Sequence, residues 1–237
     1  MLIIFDLDGT LINTISDLGQ ACNHALEACG FPTHKIEDYP RLVGNGVNKL
    51  IERSLPQEHR NEATVLRLRK FFVPFYDQHN CDLTRPYEGI PELLHALKQQ
   101  GHTLAVASNK YQAATEKIVS QLFPGIFEVV LGEREGISRK PDPQIVYDII
   151  QRIAPDTDLS TALYIGDSSV DAETAWAANS QLLVQFAQGA EQRSIPTQFV
   201  KLALCTWGFS PASAMEALLP DFLIHHPSEV LNILPRL

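Results

Sequence analysis

Leu2-Ile3-Ile4-Phe5-Asp6-Leu7-Asp8-Gly9-Thr10-Leu11 is the stretch whose reading decides the fold. Four apolar residues in a row, without polar alternation, read as a strand buried on both faces. The run ends abruptly in two aspartates. Ligands of parallel α/β sheets bind beyond the carboxyl ends of the strands, which is where Asp6 and Asp8 fall. In an extended chain the two carboxylates, two residues apart, point the same way. Gly9 allows a tight turn and a close approach of its amide to a ligand. One aspartate can then attack phosphorus, while the other protonates a leaving oxygen and later activates water. The bland alternative is a solvated turn with two chance acids.

Working outward, similar apolar runs recur at Thr103–Ala107, Glu128–Leu131, Ala162–Ile165 and Phe222–Ile224. Amphipathic stretches separate them. Pro91–Gln100 carries Leu93, Leu94 and Leu97 on one stripe and stops at Gly101; Ile145–Ile153 repeats the pattern. Strands alternating with helices predict an α/β fold with a parallel sheet covered on both faces.

From about Thr14 to His79 no strand is predicted. Ile15, Leu18, Cys22, Ala25, Leu26 and Cys29 have helical spacing, and Gly30-Phe31-Pro32 ends that helix. Val47–Leu55 reads as a second helix and Glu58–His79 as a third, broken or kinked near Pro74. This predicts an all-helical insertion over residues 14–81, within a sheet domain formed by 1–13 and 82–237.

Three further motifs follow predicted strands or their loops. Ser108-Asn109-Lys110 offers a hydroxyl and an amide to phosphate oxygens, although Ser and Asn also cap helices. Lys140-Pro141-Asp142-Pro143 presents a lysine to neutralise phosphate, or merely an exposed loop lysine. Gly166-Asp167-Ser168-Ser169-Val170-Asp171 brings two more carboxylates. Mg²⁺ takes oxygen ligands and often only one or two carboxylates, which Asp6 and Asp167 could supply. Asp171 could equally open the next helix, where an acid is welcome. The four motifs together are what point to phosphoryl chemistry; so many acids in one place call for a cation.

Composition fits that picture. The chain has 237 residues and a net charge of −9, from 28 acidic and 19 basic residues. That argues against a nucleic-acid binder or an anionic membrane surface. Cys22, Cys29, Cys81 and Cys205 form no CxxC pair and no zinc spacing, so they are read as reduced, mostly buried small hydrophobes. The N-terminus has no basic start, its apolar stretch is too short for a signal peptide, and no run suits a membrane span. A cytoplasmic setting is expected.

The four motifs resemble those of the haloacid dehalogenase superfamily over nearly the whole chain. The resemblance implies a Rossmann-like core with a mobile helical cap. It implies Asp6 as nucleophile, Asp8 as general acid/base, Ser108 and Lys140 as phosphate ligands, and Asp167 as magnesium ligand. It adds the Asp8 carbonyl to the metal and sets Asp171 to steady Lys140 or a metal-bound water. Asp8 favours phosphatase over dehalogenase, because an ester leaving group needs a proton donor. Mg²⁺ is the implied cofactor. Charge on the transferring group would be met by Lys140, Ser108, Asn109 and the amides around Gly9 and Thr10.

Leu42-Val43-Gly44-Asn45-Gly46, Arg85-Pro86-Tyr87-Glu88-Gly89-Ile90-Pro91 and Thr206-Trp207-Gly208-Phe209 are similar to segments of phosphoglycolate-phosphatase-like members. Gly44, Asn45 and Gly46 are therefore candidate substrate contacts and a small phosphorylated metabolite resembling phosphoglycolate the expected substrate. Arg41, Lys49 and Arg53 could hold a substrate carboxylate, although solvated charges are the simpler reading. The path from Asn179 to Thr206 is longer than in relatives: Leu182–Ala187 and Phe199–Cys205 are each possible strands, and Gly189–Gln198 a loop, edge hairpin or interface. Inorganic pyrophosphatase, sugar-phosphate mutase and non-catalytic phosphate-ligand binding stay open, as do monomer and homodimer.

Overall fold

The structure, a computed structural model, describes residues 1–153, 161–189 and 200–236. Among these a parallel sheet holds β1 (Leu2–Phe5), β4 (Thr103–Tyr111), β5 (Val129–Glu133), β6 (Ala162–Gly166), β7 (Val200–Cys205) and β8 (Phe222–Ile224) in the order β5-β4-β1-β6-β7-β8. A separate antiparallel ribbon pairs β2 (Ile12–Asn13) with β3 (Arg85–Pro86). The helices are α1 (Ile15–Ala28), α2 (Val47–Ser54), α3 (Glu62–His79), α4 (Ile90–Gln99), α5 (Gln112–Leu122), α6 (Gln144–Arg152), α7 (Ser169–Gly189), α8 (Ala212–Ala217) and α9 (Glu229–Ile233).

The uninterrupted apolar strands have a simple cause. Ile3, Phe5, Leu104, Val106, Leu163 and Ile165 point to one face and pack on α4, α5 and α9. Leu2, Ile4, Ala105, Ala107, Ala162 and Tyr164 alternate to the other face, against α6 and α7. Both faces are buried, so neither register position is polar. The strand order reverses direction of growth between β1 and β6. That switch point leaves a crevice at the carboxyl ends of these two strands.

Between β2 and β3, α1 and α3 pack closely, with α2 against α3. They bury a further cluster that includes Cys22, Leu26, Tyr39, Leu50, Ile51, Leu68, Phe72 and Tyr76, joined by Ala114 of α5. α1 ends as its sequence predicts: Gly30 has φ +76°, Gly30 N donates to Glu27 O (3.0 Å), and Phe31 N donates to Leu26 O (2.9 Å). Asp17, buried in α1, accepts from Leu83 N, Thr84 N and Thr84 Oγ1 at 2.8–3.1 Å, pinning the chain where it leaves the helices.

Four expectations are corrected. The third helix starts at Glu62, not Glu58, because Asn61 caps it by accepting from Thr64 N at 3.0 Å; Gln57–His59 is a separate 3₁₀ turn. Pro74 lies inside α3 without ending it, and the buried Phe72 and Tyr76 on either side hold the helix against the cluster. Leu182–Ala187 is not a strand; α7 runs through it to Gly189. Of the four free cysteines only Cys22 and Cys205 are buried, while Cys29 and Cys81 are partly exposed. Asn179 exchanges two hydrogen bonds with the Val200 backbone (2.8 and 2.9 Å) and so anchors the start of β7; residues 190–199 lie outside the described residues. No helix among the described residues is long and apolar enough to cross a membrane.

Candidate active site

Four loops converge at the switch point. Asp6 and Asp8 follow β1, Ser108 and Lys110 lie where β4 bulges away from β5 after Ala107, Lys140 precedes α6, and Asp167 follows β6. Asp6, Ser108, Lys140, Asp167 and Asp171 are all buried. Lys140 is the hub. Its Nζ donates to Asp6 Oδ1 (2.8 Å), Asp171 Oδ1 (2.8 Å) and Ala107 O (2.9 Å). An ammonium has three protons, so all are used inside the protein. Lys140 therefore orients the Asp6 carboxylate and supplies charge; it keeps no N–H for a phosphate oxygen in this arrangement.

Asp171 has both of its anticipated roles. It sits in the first turn of α7 and accepts from Ser168 N (3.1 Å) and Ser168 Oγ (2.6 Å), closing the helix start. Its other oxygen holds Lys140 and accepts from Tyr164 Oη at 3.3 Å.

The turn after β1 is self-contained. Gly9 N donates to Ile12 O (2.9 Å) and Thr10 N to Leu7 O (3.4 Å), so these two amides are engaged in the turn and not offered to a phosphate, as the sequence had suggested. Gly9 is needed for another reason: φ is +93°, and a Cβ there would overlap the Asp167 carboxylate. Thr10 Oγ1 faces Asp167 Oδ1 at 3.4 Å. Ser108 Oγ accepts from Lys110 N at 3.2 Å, leaving its own proton for a ligand. Asn109 departs from expectation too: its Nδ2 donates to Lys140 O (3.0 Å) and so fixes the lysine loop. Neither Ser108 nor Asn109 caps a helix; the residue before α5 is Tyr111.

Sequence reasoning missed Lys110. Its Nζ lies 3.0 Å from Asp8 Oδ1 and donates to Tyr76 Oη on α3 at 2.8 Å. The signal was available, since in a strand Lys110 shares a face with Ser108 two residues earlier. Also missed was Arg139, whose Nη1 donates to Asn45 O at 3.0 Å and ties the loop before α2 to the loop carrying Lys140.

The electrostatics follow from burial. Asp6 is pushed up to about 7, chiefly by loss of water and then by repulsion from Asp171, against the pull of Lys140. Asp167 is raised well above the carboxylate range by burial and by the charges of Asp171 and Asp6. Burial opposes the charge on Lys140, but Asp171 and Asp6 outweigh it and hold its ammonium.

Asp6, Asp8, Asp167 and Asp171 are four carboxyl groups gathered around only two ammonium groups, Lys110 and Lys140, and full ionisation of all four would leave an excess of two negative charges. Asp6, Asp167 and Asp171 each offer an oxygen within 4.8 Å of the others. A buried all-oxygen set whose full ionisation needs further positive charge fits a small divalent cation. Asp171 is already held by Lys140, Ser168 and Tyr164, which leaves Asp6 and Asp167 as the carboxylates able to bind one.

Above the acids lies a cavity of about 450 Å³. Its floor includes Asp6, Asp8, Ser108 and Asp167, and its roof includes Gly44, Asn45, Gly46, Leu50 and Phe72. Gly44, Asn45 and Gly46 have φ of +108°, +61° and +84°, a sharp backbone turn that delivers the chain to the start of α2. The cations near this loop have local partners. Arg41 pairs with Asp38 (2.6 Å) and Lys49 with Glu52 (2.6 Å). Arg53 donates to the carbonyls of Leu42, Val43 and Gly44 (3.1–3.2 Å) and to Asn45 Oδ1 (2.8 Å), bracing the roof loop.

Residues 3–184 match the model of the haloacid dehalogenase-like hydrolases. The chain belongs to that family. It is 28% identical over 233 residues to the phosphoglycolate phosphatase of Aquifex aeolicus, covering 98% of this chain and 95% of the relative. It is 34% identical over 180 residues to that of Mesorhizobium japonicum, covering 75% and 78%. A crystal structure from Lactobacillus delbrueckii subsp. bulgaricus, solved under the provisional name phosphoglycolate phosphatase, superposes with a TM-score of 0.81 at 27% identity, covering 97% of this chain and 95% of that one. With these relatives and this site, the protein is a phosphatase of the haloacid dehalogenase-like type.

Proposed function

We propose that this phosphatase is magnesium-dependent and hydrolyses a small phosphate monoester, with a phosphoglycolate-like substrate favoured, through an aspartyl-phosphate on Asp6. The observation that carries the reading is the clamp of Lys140 on Asp6 at the floor of the cavity, beside Asp167 and Asp171, whose carboxylate oxygens lie within 4.8 Å of one another and of Asp6. Mg²⁺ held by Asp6, Asp167 and the Asp8 carbonyl would neutralise charge on the transferring phosphoryl group.

The protein's own residues divide the work. Lys140 holds the Asp6 carboxylate so that Oδ2 is left to attack phosphorus. Ser108 donates its hydroxyl proton to a phosphoryl oxygen. Asp8 gives a proton to the departing ester oxygen as the O–P bond breaks, then takes one from the water that hydrolyses the acyl phosphate, regenerating Asp6 and releasing phosphate. Residues 14–81 act as a cap over the core formed by 1–13 and 82–237; a hydrophobic cluster built almost wholly from them, to which the core adds Ala114, and the β2–β3 ribbon support that division. α2 begins at Gly46 without a side-chain cap, and its start lines the cavity, a setting suited to a substrate carboxylate.

The test is phosphate release with and without Mg²⁺ from 2-phosphoglycolate, several sugar phosphates, pyrophosphate and an aryl phosphate. Metal-dependent release led by 2-phosphoglycolate is expected. Pyrophosphate as the best substrate, or transfer of phosphate to sugar in place of water, would overturn the monoesterase reading.

A further inference from the structure

We infer that Lys110 and Tyr76 form a positioning pair through which the helical cap sets the orientation of Asp8; this rests on the phosphatase reading above. Lys110 belongs to the sheet domain and Tyr76 to α3 of the helical block. Lys110 Nζ is nearly sealed from water, its side chain 4% exposed. It reaches the Tyr76 hydroxyl at 2.8 Å and sits 4.8 Å from the centre of the Tyr76 ring. Its only carboxylate partner among the described residues is Asp8, 3.0 Å away.

Asp8 Oδ1 is buried and makes no hydrogen bond; the ammonium attracts it by charge from a direction that forms none. The carboxylate is thus held in place without giving up the lone pair that must handle a proton. Lys110 is held in turn. Ser108 Oγ accepts from its backbone N–H, and Thr115 Oγ1 donates to its carbonyl at 3.1 Å, so the backbone is fixed and only the side chain answers to Tyr76. The same end of α3 is moored to the sheet domain by Tyr111 Oη donating to Asp77 Oδ1 (2.6 Å) and by Lys117 Nζ donating to Asp77 O. Displacing α3 from the sheet domain would withdraw the Tyr76 hydroxyl, and Lys110 would lose the contact that directs it at Asp8. A buried ammonium seeks a replacement acceptor, and Asp8 would move with it.

The pair acts on proton delivery, so its effect depends on how much the leaving group needs a proton. An alkyl ester leaves as a strongly basic alkoxide, and an aryl ester leaves as a stabilised phenolate. General-acid assistance is worth about 10² or more for the former. Lys110→Met and Tyr76→Phe are compared with the wild type through kcat/KM, which reports phosphoryl transfer to Asp6. The substrates are the alkyl phosphate that wild type cleaves fastest and 4-nitrophenyl phosphate. Lys110→Met is expected to lose roughly 100-fold on the alkyl ester and only a few-fold on the aryl ester. Tyr76→Phe, which removes one buried hydroxyl, is expected to show the same selectivity at smaller size. Equal losses on both esters, or a change confined to KM, would overturn the pair. A wild type inactive on both esters would overturn the phosphatase reading itself.

Discussion

The main-chain N–H of Phe209 donates to Asp167 Oδ2 across 2.7 Å, tying the loop after β7 to the carboxylate after β6. The preceding residue explains how the loop comes so close: a Cβ on Gly208 would overlap the Asp167 side chain, as would one on Gly9 from the opposite loop. Gly208→Ala is therefore expected to shift Asp167 while leaving the sheet in place. Groups that orient metal ligands typically affect affinity by about 10- to 100-fold. Calorimetric titration of the metal-free variant with Mg²⁺ should show a loss of that size. Unchanged affinity would remove Asp167 from the metal.

Asp6→Asn is expected to abolish turnover and to stabilise the metal-free protein. The folded pKa of Asp6 is raised from 3.8 to about 7. Below the lower value both the folded and the unfolded chains are protonated, and the wild type pays nothing. Between the two values the folded chain keeps a proton that the unfolded chain has released, so wild-type stability falls as pH rises. Above the upper value the buried charge is fully expressed. The advantage of the variant should thus grow from about pH 4 to pH 7 and then level off, reaching on the order of a few kcal/mol. Denaturant unfolding of both proteins without metal, at several pH values, measures it. An advantage that shrinks with pH would contradict the raised Asp6.

Lys140→Met leaves Asp6 and Asp171 facing each other without a counter-ion. Removing one partner of a buried pair typically costs about 3–5 kcal/mol. The metal-free variant should melt well below the wild type and be inactive. Mg²⁺ should raise its melting temperature more than it raises that of the wild type, because the cation restores the missing charge. Equal metal responses would show that Lys140 and the metal do not share the same acids.

Much of this was legible because the signals are local. The apolar run Leu2–Phe5 reads as a two-faced strand, and of the two readings open for the acids behind it, a strand-end site and a chance turn, the structure shows the first. Asp171 opens a helix, as its position allowed, and grips Lys140, as the family resemblance implied. What the sequence concealed depends on partners distant in the chain. Nothing near Asn109 says that its amide will meet Lys140 O, and nothing near Tyr76 separates a core aromatic from a hydrogen-bond partner of Lys110. Gly9 advertised a free amide, but Ile12 O, three residues on, claims it. Pro74 advertises a break or a kink; with Phe72 and Tyr76 buried on either side, the helix runs unbroken to His79.

Gly46 is where the roof of the cavity meets the floor. Its φ is +84°, and an added Cβ would come within 2.8 Å of Arg139 Nη1 and 3.4 Å of Asn109 O. Two costs would fall on Gly46→Ala together. With φ +84° and ψ 173° the backbone lies in a region essentially reserved for glycine, which costs a residue with a Cβ about 1–3 kcal/mol. The guanidinium must also retreat, loosening its hydrogen bond to Asn45 O. Neither cost touches Asp6, Asp8 or Asp167, so the loss should appear in recognition. If the strain falls on roof closure, KM for the best substrate should rise by roughly 5- to 150-fold, since about 1.4 kcal/mol is tenfold in affinity, with kcat changed much less. Arg139→Ala removes the clash but not the backbone strain, and the double variant should recover part of the KM. A fall in kcat at constant KM would instead place this loop in the chemical step, and a double variant with simply additive losses would mean that Gly46 and Arg139 do not act on one another.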